Sequence, residues 1–313
     1  MSNVICFDIG GTFIKYGVIN QDGSLCFKDK TPTPKKDIQQ ILPMIIMEKL
    51  DALQREWSIS AISISSCGLV DREAGIVLYS NNIPGYTGMN FKEALSPLTN
   101  LPIFVENDVK CGCMGEMWKG ALQGKKDAVF LTLGTGIGGT ILVNGKILNG
   151  SSNLAGELGH TVIVNNGRSC SCGRKGCFER YASTSALVQD YIREMRRRGF
   201  PVNSISGEEI VQLVYKQEPG ALKVYLKFVH YLSQGLANII HLLNPESIII
   251  GGGIAEQNEQ LIQDVNKEIE KEAMSMYLNN NIISSAVLGN QAGLFGACYN
   301  ALVRLNVQVN STT

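Results

Sequence analysis

At 313 residues and 44% hydrophobic side chains, the chain exceeds the size at which a single core usually stops growing and has apolar mass for two. Its 28 basic and 28 acidic side chains cancel, which removes any composition-level case for a nucleic-acid or anionic-membrane partner. Nine cysteines, an odd number, and an opening MSNVICFDIG without a basic segment leading into an apolar run point to a reduced, cytoplasmic setting with no signal peptide; no apolar stretch approaches the ~18 residues that span a bilayer.

Along the chain, VICFDIGGTFIKYGVINQDG reads as strand, glycine turn, strand and a closing Asp22-Gly23 turn, a dipeptide that accepts positive φ. DIQQILPMIIMEKLDALQREW has helical periodicity, AISISSCG reads as a strand, and LPIFVEND as a strand running into a helix. Taken alone, Glu106-Asn107-Asp108 is a helix cap. GALQGKK comes close to a P-loop, but too few residues separate Gly120 from Gly124 and Lys126 replaces the required Ser or Thr, so it reads as a surface loop. AVFLTLGTGIGGTILVNGKI then repeats the plan of the first segment and closes at Asn144-Gly145. Two such repeats, each followed by helix and strand patterns, predict two similar α/β lobes.

Gly134, Gly136 and Gly139 satisfy the Gly-x-Gly-x-x-Gly spacing of dinucleotide folds, yet residues 140–143 continue as strand where that fingerprint needs a helix. Glycine turns after strands instead leave backbone N–H groups free to hold phosphate oxygens. A third such place is PESIIIGGGIAE, where a buried strand ends in Gly251, Gly252 and Gly253 and the backbone can pass close to adenine or ribose. AGLFGACYNAL opens a further helix with small residues. Together the turns predict a nucleotide site.

Residues 156–179, GELGHTVIVNNGRSCSCGRKGCFE, crowd His160, Cys170, Cys172 and Cys177 between Glu157 and Glu179. One imidazole and three thiolates are a complete tetrahedral zinc set with no open position, so a zinc ion here would shape a site and leave the chemistry to others. Arg196, Arg197 and Arg198 read as the solvated end of a helix closed by Gly199. His230 and His241, eleven apart in a helical pattern that ends at Asn244-Pro245, read as structural histidines.

With DIGGT, END, LGTGIGG, GELGH, CSCGRKGCFE and GGG in that order, the chain resembles, nearly end to end, the ROK family of repressors, open reading frames and kinases. The resemblance implies a two-lobed actin-like ATPase (ribonuclease H-like) α/β fold with a ligand cleft between the lobes. An N-terminal lobe over residues 1–117 would be completed by a C-terminal helix at about 293–313, and a C-terminal lobe over 118–292 would carry the zinc loop 160–177. It implies ATP-dependent phosphorylation of a hexose 6-hydroxyl with Asp108 as general base. Gly68, Asn82, Asn107, Asp108, Glu157, His160 and Glu179 match the family's sugar ligands, with Asn81 and Gly85 nearby. Asp8 matches a residue that holds Mg²⁺ through water; Gly10, Gly11, Thr12 and Lys15 match the first phosphate turn. Gly134, Thr135, Gly136 and Gly138 match the second, and Gly252 and Gly253 border the nucleoside. Phe13 and Thr140 depart from the pattern, standing where a lysine and a further glycine are common. Only seven residues precede Asp8, which favours the kinase branch over DNA-binding repressors. Glucose is the first choice of sugar, with N-acetylmannosamine, N-acetylglucosamine and β-glucosides as alternatives, and a homodimer is expected. The competing class is a non-catalytic sugar sensor, which could lose Asp108 and the glycines that this chain keeps.

Overall fold

The computed structural model describes residues 2–256, 258–278 and 282–307. The chain divides into two compact units: the first takes the chain up to Gly124, Gly150–Leu154 and the chain from Asn290 onward, the second Lys125–Asn149 and Ala155–Gly289. The first unit runs β1 (Asn3–Ile9), β2 (Phe13–Asn20), β3 (Leu25–Pro32), α1 (Ile38–Leu53), β4 (Ile59–Ser66), β5 (Leu69–Asp71), β6 (Ile76–Tyr79), α2 (Phe91–Leu95), β7 (Ile103–Asn107) and α3 (Asp108–Lys119). The second runs β8 (Ala128–Leu133), β9 (Ile137–Val143), β10 (Lys146–Ile147), α4 (Glu179–Ala182), α5 (Thr184–Arg197), α6 (Gly207–Tyr215), α7 (Pro219–Leu243), β11 (Ser247–Gly251), α8 (Gly253–Glu256), α9 (Glu259–Glu272) and β12 (Ile283–Ser285). Helix α10 (Ala292–Arg304) then returns to the first unit.

The repeat read from the two glycine-turn segments is a repeat of topology. The first sheet is ordered β3-β2-β1-β4-β7 and the second β10-β9-β8-β11-β12, each an antiparallel meander followed by parallel strands. The turns that close the meanders use Gly23 at φ 86°, and Asn144 and Gly145 at φ 51° and 73°, conformations that Asn and Gly adopt at low cost.

Strand alternation decides what covers each face of the first sheet. Ile5, Phe7, Ile9, Ile62 and Ile64 face one way and pack with Leu42, Ile46 and Leu50 of α1. Ser63, on the opposite face, donates its hydroxyl to the Ala297 carbonyl of α10 at 2.6 Å. Helices α3 and α10 approach closely because each puts glycine at the contact: a Cβ on Gly115 would strike the Ala292 carbonyl, and one on Gly296 the Cys111 carbonyl.

In the second unit, the 25-residue α7 starts at Pro219, with the Glu218 carboxylate as its cap, and is followed by the C-cap Asn244 in the left-handed region. Its Leu232, Leu236 and Ile240 join Val129, Leu131, Ile248 and Ile250 of the sheet in a separate core. The basic run is the solvated helix end that the sequence predicts, with Arg196 and Arg197 exposed in the last turn of α5, and it also carries ion pairs. Arg197 and Arg198 both bond Glu194 at 2.8 Å, Lys223 of α7 joins at 3.1 Å, and Gly199 follows at φ 84°. What the sequence did not show is the buried Glu194 carboxylate that these solvent-facing cations share. His241 accepts the Met274 N–H, and His230 lies 3.3–3.4 Å from Glu268 and Glu272.

Candidate active site

In the first unit the conspicuous feature is the junction of β7 and α3. Asn107 caps the helix, its side-chain oxygen accepting the Val109 and Lys110 N–H groups, while its amide nitrogen donates to the Gly68 carbonyl at 2.8 Å and to Asp108 at 3.0 Å. The cap that the sequence alone predicts is present at Asn107, and its geometry is compatible with the role that the resemblance implies for Asp108. Asp108 accepts the Val109 N–H at 2.9 Å. Burial, with the negative charge of Asp8 second, pushes its carboxyl up to about 7. Behind the strand, Glu106 is 1% exposed and its carboxylate lies 3.1 Å from Arg72.

Asp8, at the end of β1, is paired in register with Lys15 of β2, and the two side chains meet at 3.3 Å. Its other oxygen accepts the Ser65 hydroxyl at 2.8 Å, and Lys15 also donates to Asn290. Gly293, in the first turn of α10, lies against this carboxylate, where a Cβ would sit 2.8 Å from Cγ. Between the strands, Gly10 N–H bonds the Phe13 carbonyl, the Gly10 and Thr12 carbonyls accept from Thr33, and a Cβ on Gly11 would lie 3.1 Å from the Asn82 carbonyl. Asn82 itself is exposed. Phe13 is 40% exposed with the Lys30 ammonium 4.6 Å above its ring, so a cation still reaches this turn, from the next strand.

In the second unit the β8–β9 turn is closed by Gly134 N–H to the Gly136 carbonyl at 3.0 Å. Gly138 pairs with Thr132, and Thr140, fully buried, pairs with Phe130, so the departure at 140 falls within β9 and outside the turn. A cavity of about 440 Å³ gathers Gly134, Thr135 and Gly253 with Thr184 and Ser185 of α5 and Ser206, Gly207 and Glu208 at the start of α6. The five latter residues had no motif to announce them; only folding assembles them. Gly252, at φ 99°, puts its N–H on Glu256 at 2.8 Å, and a Cβ there would strike the Leu133 carbonyl.

The GELGH segment packs on β9 through its glycines. A Cβ on Gly156 would lie 2.6 Å from the Gly139 carbonyl, and one on Gly159 would strike the Ile137 carbonyl. This fixes the short turn Leu158–His160 that presents Glu157 and His160. The cysteine loop is pinned to α4 and α5 by Arg168, which bonds Asp190 at 2.7–2.8 Å and the Arg180 carbonyl. The donor atoms of His160, Cys170, Cys172 and Cys177 all lie within 4.8 Å of one another. Nδ1 of His160 is 3.6 Å from Cys170 Sγ, and Cys172 and Cys177 are 3.6 Å apart. A tetrahedral zinc with ordinary bond lengths has edges of about 3.8 Å between sulfurs and about 3.5 Å from sulfur to nitrogen, so the set fits that ion. Nε2 of His160 is left 3.9 Å from Glu157, and Glu179 Oε1 lies 3.8 Å from Nδ1 and 3.1 Å from Cys170.

Residues 4–304 match the family model described as ROK family. A glucokinase of Halalkalibacterium halodurans is 31% identical over 303 residues, covering 92% of each chain. A beta-glucoside kinase of Listeria innocua is 32% identical over 97% of this chain and 98% of its own. The crystal structure of a ROK family glucokinase from Streptomyces griseus, in complex with glucose and AMPPNP, superposes with a TM-score of 0.82 at 29% identity, covering 95% of this chain and 98% of that one. The match spans both sheets and every motif described above; the chain belongs to the ROK family.

Proposed function

We propose that this ATP-dependent sugar kinase of the ROK family transfers a phosphoryl group to the 6-hydroxyl of a hexose, glucose being the first candidate. The observation that carries the reading is Asp108: a carboxylate at the first position of α3, oriented by the capping residue Asn107 and raised by burial to about 7, a value that suits a general base. It accepts the hydroxyl proton as the oxygen attacks the terminal phosphorus; the phosphorus–oxygen bond to ADP breaks and ADP leaves with the electron pair. Positioning and electrostatics supply the remainder of the rate enhancement.

Asp8 would hold Mg²⁺ through water, Gly10, Gly11, Thr12 and Lys15 would line one phosphate turn, and Gly134, Thr135, Gly136 and Gly138 the other, with Gly252 and Gly253 beside the nucleoside. Gly68, Asn82 and Asn107 border the sugar. Glu157, His160 and Glu179 would grip its far end, since a carboxylate accepts hydroxyl hydrogens and an imidazole fixed at Nδ1 leaves Nε2 to meet a hydroxyl. Zinc on His160, Cys170, Cys172 and Cys177 would supply local order to that group. N-acetylhexosamines and β-glucosides remain alternative substrates; the relatives themselves divide between a glucokinase and a beta-glucoside kinase.

The test is a coupled ADP-release assay with Mg²⁺-ATP over glucose, mannose, fructose, both N-acetylhexosamines and cellobiose. Asp108→Asn is expected to lower kcat by about 10²–10⁴-fold while sugar affinity, read by calorimetry, is kept. Undiminished turnover in that variant would remove Asp108 from the role. Chelation verified by metal analysis should weaken sugar binding before nucleotide binding, and intact sugar affinity in zinc-free protein would separate the loop from the sugar site.

A further inference from the structure

We infer that Gly136 is a positioning residue for Glu179, so that the second glycine turn sets sugar affinity as well as holding phosphate. The inference rests on the sugar-kinase reading above. Glu179, at the first position of α4, has a side chain 16% exposed and divided between two neighbours. Its Oε1 points to the cysteine loop, 3.1 Å from Cys170 Sγ. Its Oε2 lies against Gly136, where a Cβ would clash with it and come within 3.6 Å of Cδ. The carboxylate is therefore wedged with both oxygens placed, and the wall on one side is a hydrogen atom where any other residue carries carbon.

Gly136 is not among the glycines with positive φ, so an alanine can adopt its backbone conformation. Nor does anything other than the tip of Glu179 stand within 4 Å of the site a Cβ would take. What demands glycine at 136 in this structure is room for that carboxylate. Gly134, in the same turn and also without positive φ, faces open space and provides an internal control. A further consequence is energetic coupling: phosphate on the turn and sugar on Glu179 share one contact, and any such coupling acts equally in both directions.

The experiment uses the full chain with its metal content measured. Calorimetry without nucleotide follows the hexose that turns over in the panel above, and AMPPNP is titrated separately. Gly136→Ala should fold with unchanged zinc content and weaken sugar binding about 10–100-fold, the loss of one charged hydrogen-bonding group from its place, with a much smaller change for AMPPNP. Gly134→Ala, in the same proposed phosphate turn but with no contact to Glu179, should keep its sugar affinity in the absence of nucleotide whatever it does to AMPPNP binding. Lost AMPPNP affinity with sugar binding intact in Gly136→Ala would confine that residue to phosphate and overturn the inference, as would equal sugar losses in Gly134→Ala and Gly136→Ala. A wild-type chain that binds no hexose would overturn the sugar-site reading first, before any variant is compared, and this inference with it.

Discussion

A carboxyl raised to about 7 makes Asp108 sensitive to pH in two separate measurements. As a base it has to be ionised, so kcat/KM for the sugar should fall as pH drops through about 7 and level off above it. As a folded-state group its raised value favours the protonated form, so stability it costs at alkaline pH returns as pH falls toward the ordinary carboxylate range. Asp108→Asn, which never charges, should therefore raise Tm at pH 8 and leave it nearly unchanged at pH 4; a variant less stable at pH 8 would contradict this sign. Glu194 is displaced the opposite way, held well below the usual range by Arg197, then Arg198 and Lys223. The contrast explains one limit of reading residues from sequence. The three arginines were visible as a run, but Lys223 lies 29 residues beyond Glu194 and only the packing of α7 on α5 brings it there. Ser65, whose hydroxyl bonds Asp8, was invisible for the same reason, whereas Gly293 falls in the small-residue helix start AGLFGACYNAL that the sequence does single out.

At the scale of elements, what is local was legible. The meanders follow from strand patterns closed by Asp-Gly and Asn-Gly, and the four candidate zinc ligands fall within one short segment, so neither needs distant information. The crevice lined by Thr184, Ser185, Ser206 and Glu208 was not legible, because α5 and α6 lie far along the chain from the glycine turn and reach it only through tertiary packing. Helix α3 joins the two kinds of information: its cap is local, its glycine contact with α10 is not. Asn107→Ala removes a cap and the tie to Gly68, and should cost about 0.5–2 kcal/mol in urea unfolding as well as raising KM for sugar. Gly296→Ala should cost about 1–3 kcal/mol by forcing α10 away from Cys111, without a direct effect on sugar contacts. Stability unchanged in Gly296→Ala would mean that the helices have slack the structure lacks.

The molecule as a whole holds two cores, one in each unit, and both tryptophans, Trp57 and Trp118, lie in the first. Tryptophan fluorescence therefore follows the first unit, while far-UV circular dichroism follows both. Urea curves from the two probes should not coincide, and chelation should shift the dichroism curve while leaving fluorescence in place. Coincident curves that move together would show the units unfolding as one. The order of the chain has a temporal side too. Unit one begins at the start of the sequence but takes α10, with Gly293 against Asp8, from beyond the whole of unit two. A ribosome making about 5–20 residues per second spends on the order of ten seconds or more between β1 and that helix. Throughout that interval the face of the first sheet that carries Ser63 and Cys6 waits for its cover, and an ordered Asp8 site is postponed until α10 has been made.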